Sequence, residues 1–438
     1  MVYLFYISYE LGEGTHQSQL QVADTGQNTP STDLDPMSHH GELVLDLATD
    51  PCQTTRDQLM TVAQNQLTNS RLGLTVLTRT LDASTLPDCR LIRSDDNLDL
   101  LFKAKTCLDE AGVSDFVLMT SLAMKKFWET ACLHVFSHVH TWQVTGVDVQ
   151  SQLPAVEPWE LEQVETGFKE YLKGVGRQEQ VQVLRSHVIP ADRFNAGFHE
   201  RFGGVSQLSP LTSLNMLYTI RKPDPVLVIE ENRRRLAEAA GFEPASLRVA
   251  KVEHDKNIWV VGKPPPPKFD GVVTNIPGVT VAAPGADCAM ILLADTKTGA
   301  CGAVHAGWRG TTVGAVRACL QTMVEEFGTD PQDIRAAIGP TIEGKCFDLP
   351  ASDAAPLTRL DPGLVWGSAR HPDWVHADLV QANVLMLQLD GVPAGNIDTS
   401  CALCTVCNKQ FFSHRRDNIP FGNQIGFISC RKSGGDNL

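Results

Sequence analysis

The stretch Gly285–Gly310, GADCAMILLADTKTGACGAVHAGWRG, constrains the fold of this chain more than any other. Its two apolar runs, Ala289–Leu293 and Cys301–Val304, have strand character, and the polar Thr296–Gly299 between them reads as a hairpin turn. The two strands are therefore expected to be antiparallel neighbours. With Lys297 and Thr298 at the turn centre, Cys288 falls opposite Gly307, and His305 lies two residues away on the same face. That diagonal relation lets thiol and imidazole converge on one ion. Together they begin a zinc site, which becomes catalytic with a third protein ligand and an open coordination position.

The rest of the chain sets the context. At 438 residues it exceeds one ordinary core, so two domains are expected. A formal net charge of −14 argues against nucleic acid or an anionic membrane surface as partner, because phosphate backbones would be repelled on average. A local basic pocket for a small anion stays compatible with it. The opening MVYLFYISYELGEG lacks a basic flank and is broken by Glu10, which makes it a poor secretion signal. No run approaches the roughly 18 apolar residues of a membrane span. The twelve cysteines are accordingly expected to be reduced thiols, and the chain cytoplasmic.

Residues 1–45 read as a flexible N-terminal segment closing on a candidate strand, Gly41–Asp46. Residues 46–180 read as a smaller N-terminal α/β domain, with helical spacing at Asp57–Leu67 and Asn97–Ala111 and a strand at Leu72–Thr78. Within it, LHVFSHVH places His134, His138 and His140 in alternation. Copper oxidases present imidazoles in such HxH pairs but need several, so a strand with histidines on one face is the expectation. Trp142–Ala155 is polar and marks a possible boundary; the division is placed near residue 180.

Residues 181–438 form the second unit. It opens with Gly197–Ser206, where Arg201, two glycines and Ser206 make either a loop whose N–H groups approach an anion or a plain turn. Asp224–Pro225 reads as an N-cap before a helix that carries Ile229, Leu236 and Ala240 and stops at Gly241, with Arg233–Arg235 on its solvated face. Leu247–Val252 alternates like a strand and ends at Glu253–His254. His254 is thus a natural third ligand or, alternatively, a structural histidine. After Trp308 a helix is expected with Val316, Leu320, Met323, Val324 and Phe327 on one face. Arg309 just ahead of it, beside Thr311, suits phosphate; the bland alternative is a threonine cap with Arg309 in solvent. Strands follow at Ile334–Ile338 and Gln424–Ser429, around a helical surface segment over 352–396. Cys401, Cys404 and Cys407 form a CxxCxxC array that resembles a metal knuckle, but a zinc ribbon needs two paired units and only Cys430 follows, so a structural zinc is the less favoured of two readings.

ADC at 286–288, HAGWRG at 305–310, IGP at 338–340, FFSHRRD at 411–417 and RFGGVS at 201–206 resemble the laccase-domain family of bacterial YfiH-type proteins. The spelling Lys251–His254, the ending Gln424–Ser429 and the N-terminal extension are similar to its vertebrate branch. The resemblance covers roughly 190–430. It implies a mixed α/β (α+β) fold, layered, with central β-sheets flanked by helices, and a zinc held by His254, Cys288 and His305. It further implies phosphorolysis of adenosine, inosine, guanosine and S-methyl-5'-thioadenosine, and deamination of adenosine, with purine nucleosides and inorganic phosphate as ligands. One departure stands out: bacterial relatives usually place Gln and Gly around the first histidine, where this chain has Glu253 and Asp255.

For deamination, Glu253 and Asp287 are candidates for acid–base work, or for orienting the ligands beside them. For phosphorolysis, Arg201, Arg309 and Thr311 are the candidate phosphate cradle, and Asn215 a contact to ribose or base. Two other readings stay open: a copper-dependent phenol oxidase, and a non-catalytic scaffold whose N-terminal domain docks a protein partner.

Overall fold

The run ELVLD at Glu42–Asp46 is buried along its whole length, as a central strand covered on both faces must be. It is β1 in a computed structural model that describes residues 42–49, 53–68, 73–78, 89–149, 158–176 and 179–432. There follow α1 (Gln53–Thr68), β2 (Gly73–Thr78), β3 (Cys89–Arg93), α2 (Asn97–Glu110), β4 (Asp115–Ser121), α3 (Lys125–Val135), β5 (Thr141–Val147) and α4 (Pro158–Gly174). The strands form one sheet in the order β3-β2-β1-β4-β5, parallel at each pairing. Parallel neighbours need crossovers: α1 lies between β1 and β2 and α3 between β4 and β5, while α2 carries the chain from β3 to β4. Asp96 caps α2 by accepting from the N–H groups of Leu98 and Asp99. Leu100, Leu101, Ala104 and Leu108 then pack with Trp128, Val135 and Phe168 into the core of this sheet.

The strand expected at Gly41–Asp46 is β1, while 1–41 lie outside the described residues; two other expectations are corrected by the structure. LHVFSHVH is not a strand: His134 sits in the last turn of α3, because Trp128, Ala131, Cys132 and Val135 share a buried helical face that outweighs the local alternation. His140 is buried with Nε2 2.8 Å from the Asp109 carboxylate. The start of Trp142–Ala155, read as a polar stretch and possible boundary, belongs to the edge strand β5, whose polarity matches its partly exposed face.

The second half contains β6 (Val183–Leu184), β7 (Phe194–His199), α5 (Val226–Ala240), β8 (Leu247–Val249), β9 (Ile258–Val260), β10 (Gly271–Thr274), β11 (Thr280–Gly285), β12 (Ala289–Asp295) and β13 (Cys301–Ala306). It continues with α6 (Trp308–Val313), α7 (Ala315–Phe327), β14 (Ile334–Ile338), β15 (Asp348–Pro350), α8 (Ala351–Leu360), β16 (Val365–Gly367), β17 (Trp374–Ala377), α9 (Leu379–Leu389), β18 (Ile397–Asp398), α10 (His414–Asp417) and β19 (Gln424–Cys430). One sheet runs β18-β14-β12-β13-β10-β9, a second β6-β7-β19-β11-β8, and a small third β15-β17-β16. The architecture is mixed α/β, with several sheets flanked by helices.

Side-chain alternation explains the layering. Along β12, Met290, Leu292 and Ala294 pack with Val281, Ala283 and Ile428 of the second sheet. The intervening Ala289, Ile291 and Leu293 pack with Val316, Leu320 and Met323 of α7 and with Val384 and Leu387 of α9. On β19, Ile425 and Phe427 meet Leu236 and Ala240 of α5. The strands of the Gly285–Gly310 hairpin are therefore buried on both faces, which is why they read as continuous apolar runs.

Helix α5 ends at Gly241 in the left-handed region (φ 77°), as its sequence suggests. Its arginines are not a solvated face. Arg233 donates to the Met216 carbonyl. Arg235 is buried, bonding Glu231 and the Leu172 and Val175 carbonyls at the end of α4. Residues 352–396 are likewise not all helical surface: they hold the β16–β17 hairpin, and most of α9 is buried. Among the described residues no helix is long and apolar enough to cross a membrane.

Candidate metal centre

The β12–β13 ladder pairs Ala289 with Ala306 through Ala294 with Cys301. Extended by one residue, this register sets Cys288 opposite Gly307, as the hairpin reading requires. The turn closes because the Asp295 carboxylate accepts from the N–H groups of Lys297 and Thr298 and from the Thr298 hydroxyl. Gly307 is required for steric reasons. A Cβ there would stand 2.6 Å from the Cys288 Sγ and 3.5 Å from the His254 ring.

His254 comes from the loop after β8 and adopts a left-handed backbone (φ 66°). That conformation is held by one carboxylate. Asp270, fully buried, accepts from the backbone N–H groups of Glu253, His254 and Asp255 at 3.2, 2.9 and 3.0 Å. It also takes the Nδ1 of His305 at 2.9 Å. Asp270 faces His305 directly across the β10–β13 ladder, where the His305 N–H donates to its carbonyl at 2.7 Å. Burial works against its negative charge, but His305 and the backbone donors outweigh it and hold the carboxyl below its usual range. Sequence reasoning missed Asp270. Locally it is only an acid ahead of the apolar run GVVT, and its partner lies 35 positions on.

His254, Cys288 and His305 bring their donor atoms within 4.8 Å of one another. The two imidazoles meet edge to face, centroids 4.9 Å apart. His305 is buried, Cys288 intermediate and His254 exposed, so the cluster opens toward solvent on the His254 side. Burial alone would raise the Cys288 thiol, yet His305 and His254 pull it down to about 6. His305 moves the other way: burial disfavours its charge, but Cys288 and Asp270 push it up to about 9. Both shifts favour the charged forms of the pair, thiolate facing imidazolium. With Nδ1 engaged by Asp270, the Nε2 of His305 is the nitrogen left for an ion. Two imidazoles and a thiolate fit a borderline-soft divalent cation.

The other candidate residues are placed as follows. Asp287 (φ 93°) is buried, its carboxylate accepting from the Thr405 hydroxyl and the Arg415 N–H, both at 2.6 Å. Its carbonyl takes the Thr341 hydroxyl and the Ile342 N–H. It therefore anchors two loops to the turn that carries Cys288. Glu253 is exposed, accepts from Asn257 at 2.8 Å, and lines a cavity of about 340 Å³ with Asn257, Ile258 and Lys268. The larger cavity, about 760 Å³, lies against β3, α2 and α4, and none of the three donors lines it.

Arg309 is not ahead of a helix but inside the first turn of α6, whose cap is Gly307. The single helix expected there is broken at Gly314 (φ 81°). Arg309 is exposed and stacks over the Trp308 ring at 4.2 Å. Thr311 is buried, donating to the Ala306 carbonyl and accepting from Asn383.

The expected anion loop at 201–206 is filled by the protein's own oxygens. Gly204 N–H donates to the Ser213 hydroxyl, Val205 N–H to Asn232 and Ser206 N–H to the Ser213 carbonyl. Arg201 donates to the carbonyls of Thr212 and Ser209 and stacks over Phe412. Ser206 and Asn215 are buried and both donate to Asp224, at 2.7 and 2.9 Å. Asp224 accordingly turns inward instead of capping α5.

Residues 195–431 match the family model described as multi-copper polyphenol oxidoreductase laccase. Purine nucleoside phosphorylase LACC1 of Mus musculus is 34% identical over 348 residues, 76% of this chain and 80% of that one. Purine nucleoside phosphorylase YlmD of Geobacillus stearothermophilus is 32% identical over 271 residues, 58% of this chain and 97% of that one. The crystal structure of YlmD from that organism superposes with a TM-score of 0.50 at 30% identity, covering 55% of this chain and 92% of that chain. The hypothetical protein YfiH of Bacillus licheniformis gives 0.50 at 27% identity, covering 55% and 93%.

Proposed function

This chain belongs to the multi-copper polyphenol oxidoreductase laccase family, and we propose that it works as a zinc-containing purine nucleoside enzyme. Relatives named purine nucleoside phosphorylase support that reading. The observation that carries it is the convergence of His254, Cys288 and His305 on one solvent-facing point. The proposed reactions are phosphorolysis of adenosine, inosine, guanosine and S-methyl-5'-thioadenosine, releasing the base and ribose 1-phosphate (methylthioribose 1-phosphate from the last), and hydrolytic deamination of adenosine to inosine. Zinc held by the three residues would supply a Lewis acid with an open position.

The chain's own residues divide the remaining work. Asp270 holds the backbone at His254 and the imidazole of His305, whose Nδ1 it engages. Glu253, exposed beside His254, is the proposed proton acceptor and donor; Asp287, with its carboxylate already occupied, positions Cys288. Arg309, exposed and braced by Trp308, presents a planar fork suited to two phosphate oxygens. The partners of Arg201, Ser206, Asn215 and Thr311 support a role in shaping the surrounding wall instead of touching ligand. We further assign catalysis to residues 181–438 and a cytoplasmic setting to the protein.

The test is incubation with adenosine, with and without phosphate, read by chromatography. Adenine release is expected to need phosphate, and inosine formation not to. A zinc-loaded protein that makes neither product contradicts the proposal and favours a scaffold. Arg309→Ala is expected to slow phosphorolysis roughly tenfold or more while sparing deamination; equal slowing of both would remove its phosphate role. A copper-dependent phenol oxidase is the second reading, because the same donor set suits copper. Metal analysis of the purified protein separates the two.

A further inference from the structure

A second cluster of metal-ligating side chains lies outside the site above. The sulfurs of Cys346, Cys404 and Cys407 are within 4.8 Å of one another. The CxxCxxC array alone does not make this arrangement. Cys401 turns away, buried, with its thiol on the Arg185 carbonyl. Its place is taken by Cys346, the last residue of the single-turn helix Gly344–Cys346.

Two loops are laced together to bring these sulfurs close. Thr341 bridges to Cys404, its N–H donating to the Leu403 carbonyl while the Thr405 N–H donates back to its own carbonyl. Backbone groups of Glu343, Cys407 and Val406 donate to the Cys404 sulfur and, against the effect of burial, hold its thiol below the ordinary value. Donation from the second and third residues after a cysteine is the arrangement that steadies a thiolate in a CxxC turn. Cys346 is pushed up to about 12, by burial first and then by the two sulfurs beside it. Three sulfurs held this close, from two separate loops, form a donor set suited to a soft cation.

We propose that Cys346, Cys404 and Cys407 form a second, thiolate metal site that takes Zn²⁺, with solvent completing the shell on the exposed Cys407 side. Each thiol gives its proton to solvent on ligation. The consequence reaches the first site. The same two loops grip Asp287, through Thr341, Ile342 and Thr405, and Asp287 precedes Cys288. Ligation of the three sulfurs clamps those loops and steadies the turn that carries the Cys288 sulfur. The Cys346 and Cys407 sulfurs are 3.5 Å apart, so a disulfide is the rival outcome.

The full-length protein, purified under reducing conditions without chelator, is assayed for zinc per folded chain alongside Cys288→Ser and Cys407→Ser. The expected result is two ions in the wild type and one in each variant. Cobalt-loaded Cys288→Ser is expected to keep thiolate-to-cobalt charge-transfer absorption. Should either variant fold poorly, cobalt titration of the wild type decides: saturation at two equivalents, with charge-transfer absorption growing through both, supports the site. Saturation at one equivalent, a folded Cys288→Ser without metal, or recovery of a Cys346–Cys407 disulfide from freshly purified protein overturns it.

Discussion

Asp270 carries four hydrogen bonds on a fully buried carboxylate, three from the backbone around His254 and one from His305. Asp270→Asn removes the charge and turns one acceptor into a donor. Metal affinity is expected to fall roughly 10–100-fold, as read by competition with a chromophoric chelator; unchanged affinity would contradict the positioning role. His199 makes a pH prediction. It is fully buried, its Nδ1 donating to the Glu200 carbonyl and its Nε2 accepting from the Ile425 N–H, and burial drives its pKa from 6.5 down to about 4. The folded value lies below the unfolded one. Its stabilisation is therefore complete above pH 6.5 and is lost as the pH falls through about 4. That difference corresponds to ~3 kcal/mol. Urea midpoints at pH 7 and pH 4.5 should drop more in the wild type than in His199→Gln; equal drops would contradict this.

At the scale of elements, one buried side chain ties the end of α4 to α5. Arg235 on α5 reaches the last carbonyls of α4 while paired with Glu231. Arg235→Leu leaves those acceptors buried without a donor, and unfolding free energy is expected to fall by about 3 kcal/mol. A loss under ~1 kcal/mol in denaturant titration would show the link to be incidental. Elements also explain what the sequence reveals. The β12–β13 register is legible because a short turn sets it, so the meeting of Cys288 and His305 follows from local residues. The break between α6 and α7 is not, because the amphipathic spacing runs on past Gly314 and only the left-handed backbone interrupts it. The histidines of LHVFSHVH mislead because their alternation of two competes with a buried helical face that only the parallel sheet creates.

Across the whole molecule, the candidate metal centre is assembled from segments that are neighbours only after folding. His254 follows β8 of one sheet; Asp270, just before β10, faces His305 on β13 of another; Cys288 precedes β12. Local patterns identify the donors but not the carboxylate that joins two of them, since that pairing spans 35 positions. The same holds for Cys346, which stands 61 positions before Cys407. Arg201 and Ser206 of the glycine loop, and Asn215 beyond it, are polar candidates in the sequence, and the fold adds bonds to Asp224 and nearby carbonyls that no local pattern announces. The central claim is that His254, Cys288 and His305 hold one ion together. Zinc-edge X-ray absorption on the zinc-loaded Cys407→Ser variant, which lacks the second site, tests it most directly. The account predicts a four-coordinate shell with one sulfur near ~2.3 Å and nitrogen or oxygen neighbours near ~2.0 Å; a shell with no sulfur, or one dominated by sulfur, would contradict it.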